Sequence, residues 1–429
     1  MSEDLLQRLL AGRLPDPDRA GRMLRVPTRT VAILPTLAGV EASLLGPLEL
    51  GRRLRVVSDP VTHRILGRQV AEALATIASV EEQVLPGQPV ADAETAERVG
   101  ADPDAWDALI AVGSGTLNDL CKYAAHRLGR PYAVFATAPS MNGYASASAS
   151  LTIAGHKRSL PAAAPRGIFM DLGVLAAAPP RLIRAGLGDS LCRPTAQADW
   201  LLAHLLLDQP YREAPFMLLA EDESPLLAAA GRLLDGDPEI MARLARTLVL
   251  SGFGMTLCGG SQPASQGEHL IAHYLDMMGD PTWPARFHGE DIGVTTLTLA
   301  RLQQSLLAGP APVLRPATLE QADFLQHYGP QRGASCWQAY EAKRLHPWRA
   351  ELLNRRLALR WPEIRSQIQA VLRPVETLEA ALRAAGAPTC PADLGIPDLA
   401  YREAVHRARE IRDRYTFLDL AADSGYWDG

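Results

Sequence analysis

The sequence predicts an α/β domain over residues 1–178 followed by an all-α domain over 179–429. Three observations carry this reading. In the first stretch, short apolar runs alternate with helical patterns, as strands and helices do in a doubly wound parallel sheet. After Pro179 helical periodicity dominates and β-branched runs become few. The chain has 429 residues, 47% of them hydrophobic, which is enough to build two cores.

Taken in order, "LRVVSDP" (54–60) reads as a strand ending in a polar turn, with a helix over 61–79. "EEQVLPG" is a second strand, and "WDALIAVGSGTLNDLCKYAAHRLG" a strand, glycine turn and helix. "PYAVFATAPS" and "RGIFMDLGVL" are strands apolar enough to be buried on both faces. Beyond Pro179, helical periodicity covers "PPRLIRAGLGDSLCRPTAQADWLLAHLLL", then 225–258, 266–278, 294–308, 317–328, 334–372, 375–385 and 399–413. With two such domains, the active site is expected in the cleft between them.

Composition narrows the function classes. A net charge of -5 and a pI near 6.1 leave no electrostatic footprint for nucleic acid. Five scattered cysteines, with no CxxC pair, argue against a disulfide framework and fit a reducing compartment. The N-terminus lacks the basic start and apolar run of a signal peptide, and no stretch reads as the roughly 20 apolar residues of a membrane span. A cytoplasmic protein is the expectation. Only Lys122, Lys157 and Lys343 are lysines, so a lysine inside a motif stands out.

Three groups of residues carry chemistry. In "IAVGSGTLNDLCKY" a buried strand runs into Gly113-Ser114-Gly115-Thr116 and then a helix. Glycines there let backbone N–H groups approach a pyrophosphate at a helix N-terminus, although the spacing is neither GxGxxG nor a P-loop, and a plain tight turn gives the same residues. "FATAPSMNGYASASAS" is a strand end followed by small and hydroxyl residues around the Asn142-Gly143 turn. It suits a flat ring lying on backbone, or simply a flexible Ser/Ala loop. The third group is Asp189, His269, His273 and His288, with His269 and His273 four apart on one helical face and His288 in a loop. Nitrogen and carboxylate donors from separate elements suit zinc or a similar divalent ion, while HExxH is absent: Glu268 precedes the first histidine and Leu270 follows it. A lone HxxxH pair is also common on structural helices.

Five motifs occur in one order: "GSGTLNDLCKY", "TAPSMNGYASASASLT", "GLGDSLCRPTAQADW", "PASQGEHLIAHYLDMM" and "FHGEDIGV". Together, over roughly residues 30–310, they resemble the sn-glycerol-1-phosphate dehydrogenases, within the metal-dependent polyol dehydrogenases related to dehydroquinate synthase. The resemblance implies a Rossmann-like N-terminal domain and reversible reduction of dihydroxyacetone phosphate by NADH or NADPH, a step of phospholipid biosynthesis. It implies one divalent metal ion, zinc or nickel, on Asp189, His269 and His288. By the same match, Asp189 and His273 are catalytic and face substrate. The dinucleotide falls to Gly113, Ser114, Gly115, Thr116, Leu117, Thr137, Ala138, Pro139, Ser140 and Ser146. Substrate contacts fall to Asn142 and Asp119 beside Asp189 and His273. The partner implied is a small phosphorylated polyol or ketone; a homo-oligomer stays open.

The chain departs from the family pattern around the substrate. The relatives carry aspartate where this chain has Asn142, and arginine where it has Gln262. After Asp189 it has Ser190 for a leucine, and Arg193 stands at a lysine-like position. Rival readings are another polyol or polyol-phosphate dehydrogenase, a dehydroquinate-synthase-like lyase and a non-catalytic nucleotide binder. Asp59, ending an early strand, is a candidate acceptor for a ribose hydroxyl.

Overall fold

The computed structural model describes residues 4–153 and 156–427. The chain forms two compact units. The first comprises Met1–Ser190, Glu213–Ser261 and Ala384–Ala387; the second comprises Leu191–Arg212, Gln262–Arg383 and Pro388–Gly429. The stretch beyond 179, expected to be helical, is therefore divided, with Pro180–Ser190 and the helices of 213–261 packing in the first unit.

The strands of the first unit are β1 (Thr30–Leu34), β2 (Arg53–Ser58), β3 (Ser79–Val84), β4 (Ala108–Gly113), β5 (Tyr132–Ala136), β6 (Ser148–Ile153), β7 (His156–Pro161) and β8 (Gly167–Asp171). Six of them form one sheet in the order β1-β8-β5-β4-β2-β3, and every pairing in it is parallel. Each residue of β4, β5 and β8 is buried, which explains their unbroken apolar runs: helices cover both faces. The edge strand β3 reads "SVEEQV" and is mostly exposed, so Glu81 and Glu82 keep another strand from pairing there. Val56, Val70, Leu74, Ile110, Phe135 and Phe169 lie in one core on this sheet, the two phenylalanine rings 4.7 Å apart.

Within the first unit, three elements differ from the sequence expectation. β1 ("TVAIL") is a strand where the sequence reading places none. The Ser/Ala segment after Asn142 becomes a hairpin, with β6 antiparallel to β7. Helix Pro238–Cys258 has the length and mean hydropathy (1.2) of a membrane span, although no stretch was expected to reach it. The helix is mostly buried within the structure, and an interior helix is apolar all round for that reason.

The second unit is helical. Leu270, Ile271, Tyr274, Leu299, Leu357, Trp361, Ile364 and Phe417 share its core. The expected helix over 334–372 is two helices, Pro330–Glu341 and Pro347–Val371. Pro347 starts the second, where a missing N–H costs nothing.

Candidate functional site

In the first unit β4 ends at Gly113, and helix Gly115–Arg127 starts behind Ser114, its N-cap. The Ser114 hydroxyl makes no cap hydrogen bond, so the first-turn N–H groups and the positive end of the helix dipole are left for an anion. β5 lies beside β4, and the Thr137 N–H donates to the Gly113 carbonyl at 3.1 Å. Gly113–Leu117 and Thr137–Ser140 thus occupy the carboxyl ends of two neighbouring strands, where open parallel sheets bind ligands. The Tyr144 hydroxyl donates to the Ala138 carbonyl at 2.6 Å and holds the second segment in shape.

Helix Pro180–Ser190 packs onto this segment through a glycine. A Cβ on Gly186 would sit 1.6 Å from the Pro139 carbonyl oxygen, so only glycine allows the approach. Asp189, one turn on and 1% exposed, accepts the Asn142 N–H on Oδ2 at 2.7 Å. The Asn142 side chain is itself buried, and its Nδ2 has no hydrogen-bond partner among the described residues. Next to Asp189, the Ser190 hydroxyl donates to the Leu187 carbonyl at 2.7 Å. In the second unit Arg193 reaches Gln197 at 2.5 Å.

Other expected residues are engaged within the protein. Asp119 accepts the Ser150 N–H at 2.9 Å and the Asn118 amide at 3.0 Å, which fastens hairpin β6–β7 to helix Gly115–Arg127. Asp59 Oδ1 accepts the Val61 and Thr62 N–H groups, each at 2.8 Å, and caps the helical segment after β2. Ser146 accepts from Lys122, a residue notable in the sequence only for its rarity. The Lys122 ammonium is fully buried and donates to the Gly143 carbonyl (2.6 Å), the Ser148 carbonyl (3.0 Å) and Ser146 Oγ (3.2 Å). Burial pushes its pKa down to about 8, although Asp119 nearby opposes the fall.

In the second unit, helix Gly267–Met278 carries His269 and His273. His288 is the first residue of helix His288–Ala308, not a loop residue: Phe287 N-caps it, and the Phe287 N–H donates to Glu290 at 2.8 Å. Three imidazoles converge. Ring centroids are 5.1 Å apart for His269–His288, 5.8 Å for His269–His273 and 5.9 Å for His273–His288.

His269 Nδ1 lies 2.9 Å from Glu268 Oε1. That carboxylate is completely buried and also accepts the Gln266 N–H at 2.7 Å and the Thr195 hydroxyl at 3.3 Å. Glu268 therefore fixes the Nδ1–H tautomer, which leaves Nε2 as the nitrogen able to bind a cation. In sequence Glu268 only breaks the HExxH pattern; a carboxylate beside a ligand-type histidine was the available signal for its role. Cys192, Glu268 and His269 also place donor atoms within 4.8 Å of one another, but the Cys192 thiol donates to the Ala264 carbonyl at 3.5 Å. A protonated thiol so engaged is packing, not a ligand.

Comparisons with known proteins find similar dehydrogenases. A family profile of iron-containing alcohol dehydrogenases matches residues 33–179. The glycerol-1-phosphate dehydrogenase (NAD(P)+) of Thermococcus kodakarensis is 32% identical over 287 residues, 66% of this chain and 80% of that protein. The enzyme of the same name from Bacillus licheniformis is 28% identical over 389 residues, 88% of this chain and 84% of its own. Among solved structures, a glycerol dehydrogenase from Schizosaccharomyces pombe shares the fold with a TM-score of 0.61 at 16% identity, covering 94% of this chain and 90% of that one. The chain belongs to the glycerol-1-phosphate dehydrogenase family.

Proposed function

We propose that this chain is a metal-dependent NAD(P)H oxidoreductase that interconverts dihydroxyacetone phosphate and sn-glycerol 1-phosphate. Family membership supports the reaction class, since relatives 28–34% identical bear the name glycerol-1-phosphate dehydrogenase. The observation that carries the reading to residues is the triple-imidazole cluster with one ring locked by Glu268. Such a donor set fits a divalent metal of the zinc or nickel kind.

In this reading Asp189, His269 and His288 hold the metal, and the Asn142 N–H steadies the Asp189 carboxylate. When bound, the metal supplies Lewis acidity toward a carbonyl oxygen, and the nicotinamide supplies the hydride. Gly113–Leu117 and Thr137–Ser140 present backbone N–H groups and small side chains to the dinucleotide, with Ser146 beside them. His273, one turn from His269, is the group positioned to pass a proton to the substrate's carbonyl oxygen as hydride transfer turns it into the hydroxyl. Asn142 and Asp119 belong to the substrate side, although Asp119 also fastens the β6–β7 hairpin. All five cysteines are free thiols, which supports a reducing compartment such as the cytoplasm.

The test is direct. Purified, zinc- or nickel-loaded protein is given dihydroxyacetone phosphate with NADH and then NADPH, and nucleotide oxidation is followed. Turnover that disappears on chelation is the expected result. Bound metal and nucleotide without turnover would remove the substrate assignment, and turnover insensitive to chelation would remove the metal.

Asn142 favours a second reading of the substrate. Its buried Nδ2 donor has no hydrogen-bond partner among the described residues. An amide there offers a proton where an aspartate offers only acceptors, so a polyol phosphate that presents an oxygen acceptor at this point is the alternative.

A further inference from the structure

Helix Gly267–Met278 starts without a cap of its own, because the Gln266 side chain makes no cap hydrogen bond. Its first N–H, on Gly267, is instead taken by Asp199 of helix Arg193–Leu207 at 2.8 Å. A Cβ at Gly267 would stand 2.7 Å from that carboxylate oxygen, so the residue must be glycine for the contact to form. The other Asp199 oxygen accepts the Phe417 N–H at 2.9 Å and the Gln303 amide at 3.1 Å. Asp199 is fully buried, and burial with the nearby Glu268 charge pushes its pKa up to about 8. The Phe417, Gly267 and Gln303 donors oppose that rise, and all three hydrogen bonds end on Asp199 oxygens.

The far side of this contact is anchored in turn. The Lys343 ammonium, nearly buried, donates to the Arg414 carbonyl at 2.7 Å and pairs with Asp419 at 2.8 Å. Arg414 sends its guanidinium to the Ser265 carbonyl, four residues before His269. Residues 414–417 therefore reach the start of the His269 helix twice, once through Arg414 and once through Asp199.

We propose that Asp199 is a positioning residue for the metal-ligand helix, capping it from outside, and that the C-terminal segment Arg414–Phe417 completes the clamp. This rests on the reading of His269 as a ligand. The helices beyond about 310 thereby acquire a role, since they fix the rotational setting of a histidine two residues past Gly267. A ligand nitrogen displaced by a fraction of an ångström binds its ion less tightly even when the fold is intact.

The test uses the full-length protein and two probes, Zn2+ in competition with a chromogenic chelator and Co2+ read by its visible absorption. Asp199→Ala and Arg414→Ala are expected to weaken Zn2+ binding by ~10–100-fold, the usual range for outer-shell partners of a metal site. The Co2+ spectrum should change shape, and NADH binding to the first unit should be unaltered. Arg414→Lys, which keeps a donor for the Ser265 carbonyl, should recover part of the loss. If Asp199→Ala does not fold, Asp199→Asn decides, since it keeps the shape but turns one acceptor into a donor facing an N–H. Wild-type Zn2+ affinity and Co2+ spectrum in folded Asp199→Asn would overturn the clamp. Zinc retained by His269→Ala would instead overturn the ligand reading beneath it.

Discussion

Glu268 Oε1 and His269 Nδ1, from adjacent residues, lie 2.9 Å apart in a fully buried contact. Neighbours in a helix do not usually face each other, since successive side chains are about 100° apart. Here the first turn lets Glu268 fold back to the Gln266 N–H while its other oxygen meets Thr195. The carboxylate thus decides which ring nitrogen keeps the proton.

This contact separates the two helical histidines. His269→Ala is expected to lose metal, and Glu268→Gln to weaken metal binding by ~10–100-fold. His273→Ala is expected to keep metal and lower kcat by ~10²–10⁴-fold, the range for a positioned proton donor. Metal analysis beside steady-state kinetics checks both, and equal metal loss in the two histidine variants would refute the division of roles.

Gly186→Ala tests the approach of helix Pro180–Ser190 to the Pro139 carbonyl. The added methyl overlaps backbone, so we expect a loss of about 1–3 kcal/mol by denaturant titration. Because Pro139 and Asn142 must shift, KM for the dinucleotide should rise as well.

Asn142→Asp places at this position the carboxylate that the resemblance implies. We expect kcat/KM for dihydroxyacetone phosphate to rise by the equivalent of about 1–3 kcal/mol, with the dinucleotide Kd unchanged. A fall would show that the amide is matched to this substrate or to one that presents an acceptor there.

Lys122 predicts a pH dependence. Its folded pKa is lowered to about 8 by burial, against 10.5 when the residue is free. Between those values the unfolded chain binds the proton and the folded one does not. Stability therefore rises with pH across about 8 to 10.5, on account of this group. Lys122→Met should flatten that slope in denaturant titrations at several pH values; an unchanged slope would assign it elsewhere.

Much of this was legible in sequence, for specific reasons. β4, β5 and β8 announce themselves because burial on both faces demands unbroken apolar runs. The motif set exposed the family because glycine turns and histidines keep their order along the chain. The β6–β7 hairpin stayed hidden since "SASLTI" is weakly apolar and owes its place to Asp119, far away in sequence. His288 reads as a loop residue because Gly289 follows it, whereas Glu290 reaching back to Phe287 starts the helix there. Asp199 carried no signal at all: its partners Gly267, Gln303 and Phe417 come from three distant stretches.

The discontinuity of the first unit has a consequence for synthesis on the ribosome. When residue 190 emerges, the sheet is complete, but its long apolar helix Pro238–Cys258 has not been made. The last stretch of that unit to arrive is Ala384–Ala387, where the Ala385 carbonyl accepts from Arg184 at 3.0 Å. Nearly the whole polypeptide must therefore exist before either unit can close, and the apolar surface of the first 190 residues that helix Pro238–Cys258 covers waits exposed until that helix is made. Chaperone demand should be high during translation, and a fragment cut at residue 190 should aggregate.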